Sequence, residues 1–238
     1  NNDGIDDLVT GAFFAEPAGG TNEGETYIVY GPTNVSGRFS LSTANVTFFG
    51  IDAGDSSGTG AGSGDFNNDG IDDLVIGARA AEPAGGSDQG ETYIIYGPTN
   101  VSGRFSLSTA NVTFVGIDAG DYAGVGAGSG DFNNDGIDDL VIGAFQAEPT
   151  GGIDQGETYI IYGPTNVSGR FNVSTANVTF FGIDGDDAAG WGAGSGDFNN
   201  DGIDDLAVGT SGAEPAGGSS QGETYIIYGP TNVSGRFS

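Results

Sequence analysis

The octet NNDGIDDL begins at residues 1, 67, 133 and 199, a constant step of 66 residues. No other feature restricts the fold as severely. A chain that copies itself at this spacing is built from one supersecondary unit whose neighbours bury each other's faces. The 238 residues hold about 3.6 such units, divided as 1–59 (partial), 60–125, 126–191 and 192–238 (partial) within one domain spanning 1–238.

Each unit contains four short runs that are β-branched, aromatic or small, bounded by Gly, Pro, Asn or Asp. In the second unit they are GAGSGDF (60–66), DDLVIGA (72–78), ETYIIYG (91–97) and NVTFVGI (111–117). No segment has a helical period. The first run is almost wholly Gly, Ala and Ser, which suits a strand squeezed where sheets converge. The third and fourth are apolar on both faces, as in a sheet sandwiched between neighbours. The pattern predicts an all-β fold of β-propeller blades, each of four antiparallel strands. An open or linear array of such units is the alternative, although solenoid turns are usually far shorter than 66 residues.

Charge narrows the partners. With 33 acidic and 5 basic residues the formal charge is −28, and nucleic acid or anionic membrane would need the opposite sign. Cysteine is absent, so no disulfide framework exists. No apolar stretch approaches the roughly 20 residues of a membrane span, so no membrane insertion of this segment is expected. A start inside a repeat, without Met, suggests part of a longer polypeptide.

The repeated turn DFNNDGIDD alternates its oxygen donors. Asp65, Asn67 and Asp69 fall at positions 1, 3 and 5, Gly70 at 6 and Asp73 at 9, with the Ile71 carbonyl at position 7. Ca²⁺ takes six to eight oxygens, and alternation in a tight loop points every second side chain inward. Asn68 and Asp72 should then face outward. An EF-hand needs a bidentate Glu at position 12, where this chain has Ile76 within a strand. An Asx-rich turn that binds nothing is the plainer alternative, but it leaves the mutual repulsion of three carboxylates without an explanation.

The run from SGDFNNDGIDDLVIGA to GETYIIYG resembles the FG-GAP repeat of integrin α-chain β-propellers. In that family the loop between the first two strands binds one Ca²⁺ per repeat. The resemblance implies metal ligands at Asp65, Asn67, Asp69, Ile71 and Asp73; at Asp131, Asn133, Asp135, Ile137 and Asp139; and at Asp197, Asn199, Asp201, Ile203 and Asp205. The first unit keeps Asn1, Asp3, Ile5 and Asp7 but lacks position 1. The family's Pro after Gly-Ala is missing, and Asn replaces the commoner Asp at position 3. One charge fewer per loop moves the expected affinity toward ~10⁻⁴ to 10⁻³ M.

Strands that alternate up and down send the loops after the second and fourth strands to one face. The units differ mainly there: Phe13, Arg79, Phe145 and Ser211; Phe14, Ala80, Gln146 and Gly212; Ser56, Tyr122 and Ala188; and Thr59, Val125 and Trp191. Phe13, Arg79, Tyr122, Phe145 and Trp191 are candidate partner-binding residues, since aromatics and Arg dominate interface hot spots. The expected partner is a protein or glycan, or another copy of the chain. Drift in permissive loops is the alternative. The arginines of the recurring SGRF are expected in structural ion pairs or stacking. Asn-x-Ser/Thr sequons stand at Asn34, Asn45, Asn100, Asn111, Asn166, Asn172, Asn177 and Asn232, candidate glycosylation sites that fit an extracellular or cell-surface protein.

Two functions remain: a calcium-binding, non-catalytic adhesion or binding module, favoured by the varied face, and a structural subunit of a glycosylated array or fibre, favoured by the sameness of the units. No enzyme is expected, since His, Cys and Lys are all absent and only carboxylate chemistry is left.

Overall fold

The computed structural model describes residues 1, 3–31, 37–97, 101–149, 151–163, 167–214, 219–229 and 235–237. Asn34, Asn100, Asn166 and Asn232 lie outside them. The described chain consists of strands and five single-turn 3₁₀ helices, in four sheets that follow one another at the 66-residue period. Among the described residues the sheets do not close into a ring. No helix among the described residues is long and apolar enough to cross a membrane.

The second blade shows the plan. Its inner strand Ser57–Gly64 pairs antiparallel with Asp73–Ala78, which pairs with Glu91–Ile95, which pairs with Val112–Val115. The third blade repeats this with Ala123–Gly130, Asp139–Ala144, Glu157–Ile161 and Val178–Phe181. The first contains Leu8–Ala12, Glu25–Val29 and Val46–Phe49, and the fourth Ala189–Gly196, Asp205–Thr210 and Glu223–Ile227. The inner strand starts three residues before the Gly-rich run read from the sequence. Its pairing slips between Ser57 and Gly60, where Gly58 takes φ +86°. It ends at Gly64, so Asp65 and Phe66 belong to the turn.

Small residues let the blades touch backbone to backbone. A Cβ on Gly77 would lie 1.8 Å from the Gly124 carbonyl oxygen of the next blade, where Gly124 itself holds φ +100°. Apolar side chains fill the remaining space between blades. Phe66, Val75, Ile94 and Val112 of the second blade form one core with Leu140, Ile142 and Tyr159 of the third. Leu74, Ile76, Tyr93 and Ile95 face the other way, toward Val46 and Phe48 of the first. Both faces of the sheet are therefore buried, as the double-sided apolar runs require.

A fifth strand departs from the four-stranded blade. Gly103–Ser106 of the second unit adds in parallel to Val46–Phe49 of the first blade. Gly169–Asn172 adds likewise to Val112–Val115, and Gly235–Phe237 to Val178–Phe181. Each unit thus covers the outer strand of the blade before it, and the short added strand becomes the new edge of that sheet. The added strand carries the SGRF arginine to a buried partner: Arg104 donates to Glu25, Arg170 to Glu91 and Arg236 to Glu157. Each of these glutamates also accepts from the tyrosine two residues on, Tyr27, Tyr93 and Tyr159. The Phe of each added strand packs on a Phe of the receiving strand, with centroids 5.6 Å apart for Phe48–Phe105 and 5.8 Å for Phe114–Phe171. Arg104 and Arg236 also stack over Phe49 and Phe181.

Candidate cation loops and a candidate contact face

The nine-residue turn links the inner strand to the second strand, and its own side chains hold it. Asp65 accepts from the backbone N–H of Asp69 (3.0 Å) and Gly70 (2.8 Å), and Asp69 accepts from Ile71 (2.9 Å). Asn68 sits at φ +58° and Gly70 at φ +81°, which give the tight reversal its left-handed corners. Asp73 is buried and joins the turn to the end of the third strand, accepting from Phe66 (3.1 Å) and Gly97 (2.6 Å). The loops at 131–139 and 197–205 repeat these bonds. In the first unit Asp7 accepts from Gly31 (2.7 Å) and from the Asn1 amino group.

Burial pushes the Asp73 carboxyl up to about 6, and the charges of Asp69 and Asp65 push the same way against the two backbone donors. Asp139 is raised to about 7, again chiefly by burial, with Asp135 adding to it. Such groups resist carrying a negative charge without compensation.

Among the described residues no three carboxylates converge as a ready metal centre. The donor set is mixed instead. Asn67 and Asn133 are only 6% and 8% exposed, and their Oδ1 atoms are buried with no hydrogen-bond partner. A buried amide oxygen without a donor is costly, and a hard cation would satisfy it. The residues therefore fit Ca²⁺ in kind: oxygen donors only, with a buried acceptor left over. Asn68 and Asp72 are exposed as expected, but the counterparts of Asp72 are not: Asp138 and Asp204 turn toward the preceding blade.

On the opposite face the residues that differ between units touch one another. Arg79 lies over the rings of Phe13 (5.8 Å) and Tyr122 (6.0 Å). Tyr122 contacts Phe145 at 5.5 Å, and Phe145 meets the edge of Trp191 at 4.3 Å. Phe14 packs on Phe13 at 4.3 Å. The result is a continuous strip across four blades, with Trp191 46% and Phe14 63% exposed. Ser56, Tyr122 and Ala188 all hold positive φ, so the corner before the inner strand has one shape whatever side chain it carries. Among the sequons, Asn45, Asn111 and Asn177 are exposed. Their Oδ1 atoms accept from Tyr30, Tyr96 and Tyr162. Asn172 caps a 3₁₀ turn through Oδ1 and donates Nδ2 to the Gly116 carbonyl.

Repeated four-stranded units with an Asx turn after the inner strand define a protein of propeller-blade type. The profile of the FG-GAP repeat matches residues 57–95 and 189–227, and the chain carries FG-GAP repeats. It is 32% identical over 173 residues to phosphatidylinositol-glycan-specific phospholipase D of Rattus norvegicus, covering 70% of this chain and 20% of that protein. The Bos taurus enzyme of the same name is 33% identical over 186 residues, 74% of this chain and 21% of the relative. Integrin alpha-PS2 of Drosophila melanogaster is 32% identical over 187 residues, 70% of this chain and 11% of the relative. The chain thus spans about a fifth or less of the length of these relatives.

Proposed function

We infer that this chain is a calcium-binding, non-catalytic binding module of an extracellular or cell-surface protein, whose aromatic strip contacts a protein or glycan partner. The observation that carries the reading is the strip itself. Residues scattered over the sequence, at positions that vary among the units, lie in one unbroken line on the face away from the cation loops. Similarity to an integrin α-chain supports a role in protein contact. The phospholipase D relatives are enzymes by name, but the shared portion is a fifth of their length. No His, Cys or Lys is available here for such chemistry.

Calcium supplies charge compensation for the buried carboxylates and a partner for the Asn67 and Asn133 oxygens. Asn45, Asn111 and Asn177 are the described sequons open to glycosylation, whereas Asn172 has its amide nitrogen engaged. The test has two arms. Calorimetric titration with CaCl₂ should give saturable binding at more than one site per chain. Binding to a glycan array and to immobilised copies of the chain, measured for wild type and Trp191→Ala, should reveal a target lost in the variant. A variant that retains every target would remove the strip from the reading, and a flat titration would remove calcium.

A further inference from the structure

We propose that a cation loop with a following blade packed on it is held in its binding shape by that blade, through the aspartate at position 8 of the blade's own loop. The proposal rests on the calcium reading above. Asp138 Oδ2 accepts from the Asp65 backbone N–H at 2.8 Å, and Asp204 Oδ2 from Asp131 at 3.0 Å. Position 1 of one loop is thus fixed by the next loop along the chain, 73 residues later. The inner strands are tied in the same direction, Ser129 donating to the Ser63 carbonyl and Ser195 to that of Ser129. The approach is close enough to specify glycine: a Cβ on Gly64 would stand 2.7 Å from Asp138 Oδ2, and one on Gly130 3.0 Å from Asp204 Oδ2.

The loop at 197–205 shows the same sequence without a following blade packed on it among the described residues. Phe66 and Phe132 are 0% and 1% exposed under their neighbours, whereas Phe198 is 52% exposed. The position-3 side chain changes with it. Asn67 and Asn133 keep a buried Oδ1 with no donor. Asn199 is exposed; it takes the Asp201 N–H on its Oδ1 at 2.8 Å and donates Nδ2 to Asp201 at 2.9 Å. The uncovered loop has folded its amide onto itself, and a cation must first undo that contact. A neighbour that excludes water and anchors position 1 keeps the amide oxygen waiting. Coupling therefore runs backward along the chain, and loops of one sequence differ in affinity according to cover: in these 238 residues the covered loops 65–73 and 131–139 bind more tightly than the uncovered 197–205.

The test follows the amide resonances of the position-6 glycines, Gly70, Gly136 and Gly202, as CaCl₂ is added to the whole chain. Wild type should fill the Gly70 and Gly136 loops before that of Gly202. Asp204→Ala should weaken the Gly136 loop about tenfold, the worth of one hydrogen bond to a charged group, and leave Gly70 unchanged. Asp204→Asn, which keeps an acceptor oxygen, should stay within about twofold of wild type. In calcium-free protein the Asp131 amide should exchange faster in Asp204→Ala. Ser195→Ala, which removes the parallel tie, checks that any loss is local and not a failure to fold. Equal filling of all three loops, weakening confined to the Gly202 loop, or an Asn variant as weak as Ala would overturn the coupling. No response of any glycine in wild type, with exchange at Asp131 still accelerated in the variant, would instead overturn the calcium reading and leave the mechanical tie in place.

Discussion

The two faces of the blades use repetition in opposite ways. On the cation-loop face the residues are nearly identical from unit to unit, and each is committed: Asp65 to its own turn, Asp73 to the third strand, Asp138 to the loop before it. On the other face the residues vary among the units, yet they meet ring against ring. Sameness marks the places where each unit must fit the next. Variation marks the places where the scaffold is already fixed by backbone, such as the positive-φ corner at Ser56, Tyr122 and Ala188, and the side chain is free to serve something else.

Removing calcium should have the largest effect, and only the first face should feel it. A loop filled at ten times its Kd contributes about 1.4 kcal/mol. Three complete loops then amount to about 4 kcal/mol, or a fall in Tm of about 10 °C on adding EDTA. Differential scanning calorimetry with and without chelator measures it, and the Trp191 fluorescence should report the same midpoint. A melting curve indifferent to EDTA would leave the two faces without that contrast in role.

The inter-blade latch ranks second. Arg170→Ala leaves Glu91 buried, with Tyr93 as its remaining side-chain donor. Breaking a buried pair costs up to ~3–5 kcal/mol, but Arg170 is about half exposed and solvent screens it, so about 1–2 kcal/mol is expected. Arg38 has the same sequence context but is exposed and outside any ion pair among the described residues. Arg38→Ala should therefore stay within about 0.5 kcal/mol of wild type. Urea denaturation of the two variants compares a latched copy with an unlatched one. Equal costs would mean that the added strand, and not the ion pair, carries the stabilisation.

Acidity gives a third, smaller effect. Burial raises the Asp121 carboxyl to about 6 and raises Asp55 as well, against backbone N–H donors from Asp118 and from Ile51 and Asp52. A pKa above its unfolded value means that the folded chain binds the extra proton. The stability is present at low pH and is lost as pH rises through about 6. In EDTA the protein should melt a few degrees higher at pH 5 than at pH 7.5, and relief of the −28 charge acts in the same direction. Asp121→Asn should flatten that slope; an unchanged slope would assign it to the raised Asp73 and Asp139 carboxyls and to net charge.

Much of this was legible in the chain because the period of 66 exposes it. Four strands, the turn after the inner strand and the division into faces all follow from local runs and from comparing the units. The fifth strand was not legible. GRF is three residues long, it pairs in parallel, and its partner lies 57 residues earlier, as Val46 does from Gly103. No local periodicity announces such a pairing, although an Arg repeated beside a repeated Glu was the clue. The inward turn of Asp138 and Asp204 was hidden for the same reason: alternation within a loop assigns position 8 to solvent, and only the neighbouring blade supplies the N–H that draws it in. The contacts along the aromatic strip were signalled only by difference, since Phe13, Arg79, Tyr122, Phe145 and Trp191 occupy three different positions of the unit.

That strip should matter least to stability and most to binding, which makes it the sharpest test of the contrast between faces. The Phe145–Trp191 edge contact is worth about 0.5–1.5 kcal/mol beyond area burial when fully enclosed, and Trp191 is nearly half exposed. Trp191→Ala should therefore lower stability by less than about 1 kcal/mol and leave calcium binding at the loops unchanged. Truncating a central aromatic anchor of an interface commonly costs about 2 kcal/mol or more, a factor near 30 in affinity. Surface plasmon resonance against whichever target the wild type retains reads that loss directly, and thermal melting of the same sample supplies the comparison. Loss of target with an unshifted melt makes the strip a contact surface; a large drop in Tm with binding intact would show that the varied residues, like the repeated ones, serve the packing of blade on blade.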